Sequence, residues 1–258
     1  MTRTNFFASF IGTCRLALAV VIMLTAAVML ALPNTFLNEA RYLKIKQWWA
    51  RCSLMALGIS FDPSAHLVAE SRPGGLVVSN HISFIDILLI NAIAPSDFVS
   101  KSDVTHWPVI GWLATRVGTI FIERGNRRAA HRTQEVMVER LIAGRRVAIF
   151  PEGTTTSGKH LLPFHAALFQ AAVDSAVAVH CLCISYHEGD GKPSQRPAFV
   201  GDLSLQDCMW QIVTGGPIVA RVSWLVEMTP PHIDRRHLAH HAHQLMSHAL
   251  AQLQTALR

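Results

Sequence analysis

Between Leu76 and Tyr186, short runs of β-branched and other apolar residues alternate with longer stretches of helical period. That alternation restricts the chain to a few architectures, because strands separated by helices build a layered α/β domain with parallel connections. The run "LVVSN" (76–80) follows the turn residues Pro73, Gly74 and Gly75 and reads as a strand, with "HLVAE" (66–70) as a strand before it. "ISFIDILLINAI" (82–93) reads as a helix, "DFVSK" (97–101) and "GTIFIE" (118–123) as strands, and "RRAAHRTQEVMVERLIAG" (127–144) as an amphipathic helix stopped by Gly144. "RVAIF" (146–150) is a further strand that runs into "PEGTTTSG". "HAALFQAAVDS" (165–175) is helical, and "AVAVHCLCISY" (176–186) has the composition of a buried strand. The expected fold is an α/β layered domain with a largely parallel or mixed sheet flanked by helices, in which sites gather at strand ends.

Ahead of this domain, Leu16 to Leu32 reads LALAVVIMLTAAVMLAL, with Thr25 as its only polar member. As a helix it measures about 25 Å, a little less than the ~30 Å hydrocarbon core. A cleaved signal peptide is the competing reading, but the apolar run continues past the Thr25-Ala26-Ala27 triplet to Pro33. Beyond it, Arg41, Lys44, Lys46 and Arg51 surround Tyr42, Trp48 and Trp49, a pattern suited to the headgroup layer. The expectation is N-terminal membrane-anchoring helices: residues 1–58 form an anchor and interfacial helix, and residues 59–258 form the layered domain. The basic residues after the anchor favour a cytoplasmic placement for that domain. The first helix either spans the bilayer or forms half of a re-entrant hairpin.

Charged residues make up only 16% of the chain, and its net charge is +6. Mean hydropathy is positive. This balance suits anionic lipid or phosphate-bearing substrates. Nucleic acid is not an expected partner, because the basic residues are not set in a recognisable binding pattern. The five cysteines lack metal-ligand spacing and read as reduced thiols, with Cys181 and Cys183 as packing residues. His237 and His241 sit i,i+4 in "HLAHHAHQLMSHAL", but the Leu238, Ala242, Leu245, Ala249 stripe marks a surface helix, so no metal site is expected.

Three segments carry chemistry. In "NHISFID", His81 and Asp86 are five positions apart, which on a helix separates them by about 140° at ~3.6 residues per turn. They meet only if His81 stands in the turn before the helix. A buried carboxylate paired with an imidazole fixes the imidazole tautomer and leaves the second nitrogen to accept a proton. "FPEGTTTSG" sets Glu152, Gly153 and Thr154 at a strand end, and "GTIFIERGNRR" puts Arg124 just past another strand, with Arg127 and Arg128 beyond.

In this order and spacing, Asn80-His81-x4-Asp86, Gly118-x2-Phe121-Ile122-x-Arg124 and Phe150-Pro151-Glu152-Gly153-Thr154 resemble the glycerolipid acyltransferase family, typified by bacterial 1-acylglycerol-3-phosphate acyltransferases. "SKSDVTHWPVIGWLA", with Lys101, Pro108 and Gly111, is similar to the family's intervening segment. The resemblance covers about residues 75 to 185. It implies transfer of a fatty acyl chain from acyl-CoA or acyl-carrier protein to the hydroxyl of a lysophospholipid, most simply 1-acyl-sn-glycerol-3-phosphate, giving phosphatidate. His81 would be the general base and Asp86 its orienting partner, while Arg124, Glu152, Gly153, Thr154 and Lys101 would bind substrate. No metal, cofactor or covalent acyl-enzyme is implied; the partners are membrane lipids, and the setting is a bacterial inner membrane. Two departures bear on the acceptor. Thr155 stands where many phosphatidate-forming members have arginine, as in members acting on lyso-ornithine lipid, and the later proline-bearing motif is missing from "AVAVHCLCISY". A thioesterase or lipid hydrolase, with Ser83 as the serine to test, and a non-catalytic lipid-binding protein are the rival classes. No Gly-x-Ser-x-Gly elbow is present.

Overall fold

A computed structural model describes residues 3–31, 38–107, 110–123 and 127–255. The described residues form nine helices and seven strands in the order α1(Arg3–Ala31), α2(Glu39–Ala56), β1(Ile59–Phe61), α3(Ser64–Glu70), β2(Gly75–Ser79), α4(Ile85–Ile93), β3(Asp97–Lys101), α5(Ile110–Arg116), β4(Ile120–Ile122), α6(Arg127–Ile142), β5(Arg146–Ile149), α7(Gln170–Ser175), β6(Val179–Glu188), α8(Leu205–Thr214), β7(Ile218–Met228) and α9(Arg235–Thr255). All seven strands join one sheet in the order β1-β7-β6-β2-β5-β3-β4. The run from β6 to β4 is parallel. Strand β7 is antiparallel to β6 and parallel to β1, so the sheet is mixed.

Strand β2 shows why the middle of the sheet is legible. All five of its residues are buried, as a central parallel strand covered on both faces requires. One face packs against α2, α3, α4 and α8 through Leu54, Ala69, Leu89 and Ile212. The other packs against α6, α7 and α9 through Leu141, Ala172 and Met246. The result is three layers, α/β/α, with the C-terminal ends of five parallel strands opening on one edge.

The segment "HLVAE" is helical, not a strand. Asp62 accepts a hydrogen bond from the Ser64 backbone N–H at 2.8 Å, and Pro63 presets the first turn, which starts a helix. Helix α2 also differs from the expected picture of basic residues reaching for headgroups. Lys46 is buried and donates to the Ser96 carbonyl at 2.6 Å, while Arg51 Nε donates to Ala92 O at 3.0 Å. Trp48 is exposed, but the Trp49 indole N–H turns back to the Ile22 carbonyl of α1 at 3.0 Å. Lys46, Trp49 and Arg51 therefore serve packing within the molecule, against the loop after α4, α1 and α4 respectively.

Residues Phe6–Ala26 of α1 are long and apolar enough to cross a membrane, by length and composition. Phe6, Phe7, Phe10, Leu18, Val21, Leu24 and Val28 are exposed along it. Its other side touches the domain: Arg15 Nη1 donates to the Val213 and Gly215 carbonyls at the end of α8, at 3.1 and 3.3 Å. Gly12 lies against Thr214, where a Cβ would come within 2.5 Å of the threonine methyl.

Candidate active site

The loop after β2 is built around one carboxylate. Asp86, in the first turn of α4, is fully buried. Its Oδ2 accepts from the backbone N–H groups of Ile82 at 2.7 Å and Ser83 at 2.9 Å, which folds residues 81–83 back over the helix start. That fold-back brings His81 Nδ1 to 2.9 Å from the same oxygen. His81 thus stands ahead of the helix, the condition set by the five-residue spacing. Asp86 Oδ1 accepts from the Tyr186 hydroxyl of β6 at 2.6 Å. Burial beside this carboxylate holds the Tyr186 phenol well above its ordinary range, so it remains a donor.

The imidazole is held from three further directions. Phe150, at the end of β5, stacks on it with ring centroids 3.9 Å apart and planes 12° from parallel. The His81 backbone N–H donates to Glu152 Oε1 at 2.9 Å, and its carbonyl accepts from the Thr156 backbone N–H at 2.8 Å. Asn80 spans the gap to β6, donating to Ile184 O at 2.9 Å and accepting from Ile184 N at 2.8 Å. The His81 side chain keeps 19% exposure, whereas that of Asp86 has none. Asp86 accepts at Nδ1, which places the ring proton there and presents Nε2 as a lone pair.

Glu152 is buried with both oxygens engaged by backbone: Oε1 by His81 and Oε2 by the Leu162 N–H at 2.9 Å. Burial raises its carboxyl above the usual range, while these two donors and His81 pull it back. Geometry therefore makes Glu152 a brace between the β2 and β5 loops. Gly153 follows at φ +69°, a left-handed turn that glycine adopts at no steric cost. Thr154 is exposed, and the Thr155 hydroxyl donates to the Phe199 carbonyl. Lys101 is exposed at the end of β3, on the same sheet edge as His81 and Glu152. Arg124 lies outside the described residues, as does Pro108. Ser83 is fully buried.

Tyr186, Phe150 as a stacking platform and Thr156 are the partners the sequence reading misses. The signal for Tyr186 is period-two placement on β6, which puts it on the face of Ile184, opposite Ser185. Cys181 and Cys183 are buried thiols pushed up to about 12 by desolvation, in keeping with packing residues. Among the described residues no cluster of three or more His, Cys, Asp or Glu is arranged to hold a metal ion.

The Acyltransferase family model matches residues 65–185. The 1-acyl-sn-glycerol-3-phosphate acyltransferase of Neisseria meningitidis serogroup B is 39% identical over 61% of this chain and 62% of its own length. The lyso-ornithine lipid O-acyltransferase of Pseudomonas aeruginosa is 36% identical over 80% of this chain and 78% of its own. The chain belongs to the acyltransferase family. The crystal structure of the 1-acyl-sn-glycerophosphate (LPA) acyltransferase PlsC from Thermotoga maritima superposes with a TM-score of 0.68, at 18% identity, over 97% of this chain and 98% of that one. The α/β fold is thus the fold of that acyltransferase. The family match contains the whole His81–Asp86–Glu152–Tyr186 neighbourhood except Tyr186 itself, one residue beyond its end. It contains all five parallel strands in whole or in part.

Proposed function

We propose that this chain is a membrane-associated lysolipid O-acyltransferase that uses His81 as general base and a fatty acyl thioester, acyl-CoA or acyl-carrier protein, as donor. The observation that carries this reading is the His81–Asp86 hydrogen bond of 2.9 Å, made by a carboxylate with three further donors. Such a carboxylate stabilises the imidazolium without taking its proton. The lysolipid hydroxyl gives its proton to His81 Nε2 as its oxygen bonds to the thioester carbonyl. The tetrahedral intermediate then breaks its C–S bond, and the imidazolium returns the proton to the departing sulfur. Atoms and charge balance within the pair of substrates. General-base assistance of this kind is worth roughly 10²–10⁴-fold.

Around the base, Phe150 keeps the ring flat and Glu152 fixes the backbone that carries it. Lys101, Gly153 and Thr154 supply the acceptor side, where donors and a cation suit an anionic headgroup, and the family resemblance assigns Arg124 to the same task. The apolar face of α1 with Trp48 holds this edge against the lysolipid-bearing leaflet of a bacterial inner membrane, with the domain in the cytoplasm.

For the acceptor, 1-acyl-sn-glycerol-3-phosphate is the first candidate, named in the Neisseria relative. A second reading, lyso-ornithine lipid, is favoured by Thr155. Its hydroxyl is spent on Phe199 O, so it offers a phosphate neither charge nor donor. Two relatives carrying that name match more of the chain than the Neisseria enzyme does, 80% in Pseudomonas aeruginosa and 82% in Brucella abortus. The test supplies purified protein with labelled acyl-carrier protein or acyl-CoA and the two lysolipids in parallel. Acylation of one acceptor, lost in His81→Ala, is expected; no His81-dependent product with either acceptor or donor defeats the proposal.

A further inference from the structure

Strand β6 carries a second constellation of reactive groups that the transfer site does not use. Ser185 and His187 are two positions apart, so they share one face of the sheet, the face of Cys183, which packs against Leu250 of α9. Ser185 Oγ lies 3.0 Å from His187 Nε2, and His187 Nδ1 lies 3.1 Å from the Gly191 carbonyl. A carbonyl only accepts, so the ring proton belongs on Nδ1, and Nε2 takes the serine proton. His187 is buried, and that burial, with Arg221 nearby, lowers it below its ordinary range, which keeps the imidazole neutral with Nε2 free to accept. Arg221 stands directly across the β6–β7 ladder from Ser185. Residues so paired place their Cβ atoms roughly 4.5–5.5 Å apart on one face, which brings a cation beside the serine.

Ser185 and His187 line a cavity of about 270 Å³ with Ile82, Pro193, Leu250 and Leu253. The cavity is separate from the His81 ring but adjoins it through Ile82, the next residue in the chain. Nucleophile, oriented base, cation and apolar wall are the parts that acyl transfer through a serine requires.

We propose that Ser185 is a second nucleophile, activated by His187, that takes an acyl group from a fatty acyl thioester or ester and passes it to water. The donor class rests on the reading of the chain as an acyltransferase, but the serine chemistry does not depend on His81. In the first half, the Ser185 hydroxyl proton moves to His187 Nε2 and Oγ bonds to the acyl carbonyl carbon. The C–S bond of the thioester breaks, and the thiol leaves with the proton from His187. In the second half, water gives a proton to His187 and attacks the Ser185 ester, releasing carboxylic acid and restoring the serine. Arg221 supplies positive charge towards the oxyanion of both intermediates. The chain would thus drain acyl thioester when no lysolipid is present.

The test treats the full-length protein in detergent micelles with an alkyl fluorophosphonate probe, followed by peptide mass spectrometry. The expected result is one phosphonyl group on Ser185, absent in Ser185→Ala and formed about 10²-fold more slowly in His187→Gln. Labelling in His81→Ala should proceed at the wild-type rate, and the same variant should still release fatty acid from an acyl thioester. Failure of the wild-type protein to label, or labelling at another residue, overturns the proposal. So does a rate that His187→Gln leaves unchanged. Labelling of Ser185 in a protein that acylates no lysolipid would leave this inference standing while the transferase reading fell.

Discussion

Two buried aspartates sit at opposite ends of the parallel strands and are held in opposite ways. Asp86, at the C-terminal edge, is satisfied by two backbone N–H groups, a phenol and an imidazole. Asp97, at the start of β3, is satisfied by cations: Arg140 at 2.8 Å, Arg145 at 2.9 Å and Lys46 at 4.0 Å. Each carboxylate is almost wholly removed from water, a cost that must be offset by partners. Neutral donors leave Asp86 with negative charge to spend on a histidine that faces a substrate. Cations leave Asp97 with none, and its two arginines carry no lone pair to receive a proton. Burial alone therefore does not mark a catalytic acid; the identity of its partners does.

Breaking the two ends should separate activity from stability. Asp86→Asn, which misplaces the His81 proton, is expected to lower the acylation rate by about 10³–10⁴-fold, as the loss of an orienting carboxylate does in serine proteases. The measurement is single-turnover transfer on protein whose melting curve is checked. Asp97→Ala leaves Lys46, Arg140 and Arg145 facing one another and is expected to cost about 3–5 kcal/mol in stability. Its refolded fraction should turn over substrate at the ordinary rate per folded molecule. Equal loss of activity per folded molecule in both variants would erase the distinction.

A finer comparison uses the two groups that support His81 from behind. Glu152→Gln keeps the shape but turns an amide NH₂ towards a backbone donor, His81 N–H or Leu162 N–H. Leaving one buried donor unpaired costs about 1–3 kcal/mol, and this should appear as both lower stability and a slower rate. Tyr186→Phe removes one of four donors to Asp86 and leaves the fold's packing intact. A roughly tenfold fall in kcat with little change in KM is expected, about 1.4 kcal/mol in the transition state. A changed KM with constant kcat would assign Tyr186 to substrate binding.

How far the sequence foretells this arrangement depends on the range of the contact. The alternation of β2, α4, β3, β4, α6 and β5 is local and periodic, and so is the turn that must hold His81 ahead of α4. Gly144 ending α6 is equally local: it has φ +76° and open space where a side chain would stand. Tyr186 is a hundred residues from Asp86 and belongs to a strand whose inward face sequence cannot assign without knowing which strand it pairs. "HLVAE" misleads because five residues of mixed polarity fit both periods, and only the Asp62-Pro63 start decides for a helix. Lys46 misleads for a third reason. A basic residue beside tryptophans looks like a snorkelling anchor, yet α2 packs on the domain and turns that ammonium inward.

Lys46 gives the sharpest test of the cationic end. Its ammonium is held down to about 8 by burial, against the pull of Asp97 and with repulsion from Arg145 and Arg140 adding to the burial. In the unfolded chain the same group returns to its ordinary value of 10.5. Between those two values the unfolded chain binds the proton and the folded chain does not. Folding stability contributed by this group therefore rises as pH climbs through that window. The rise should amount to something on the order of 1–3 kcal/mol. Lys46→Met has no such proton, so its urea-unfolding free energy should lose ground to the wild type from about pH 8 upward. Other titrations cancel in the difference between the two proteins. A difference that stays flat to pH 10 would mean that Asp97 holds the lysine charged, and that the buried ends of the strands differ less in their electrostatics than their partners suggest.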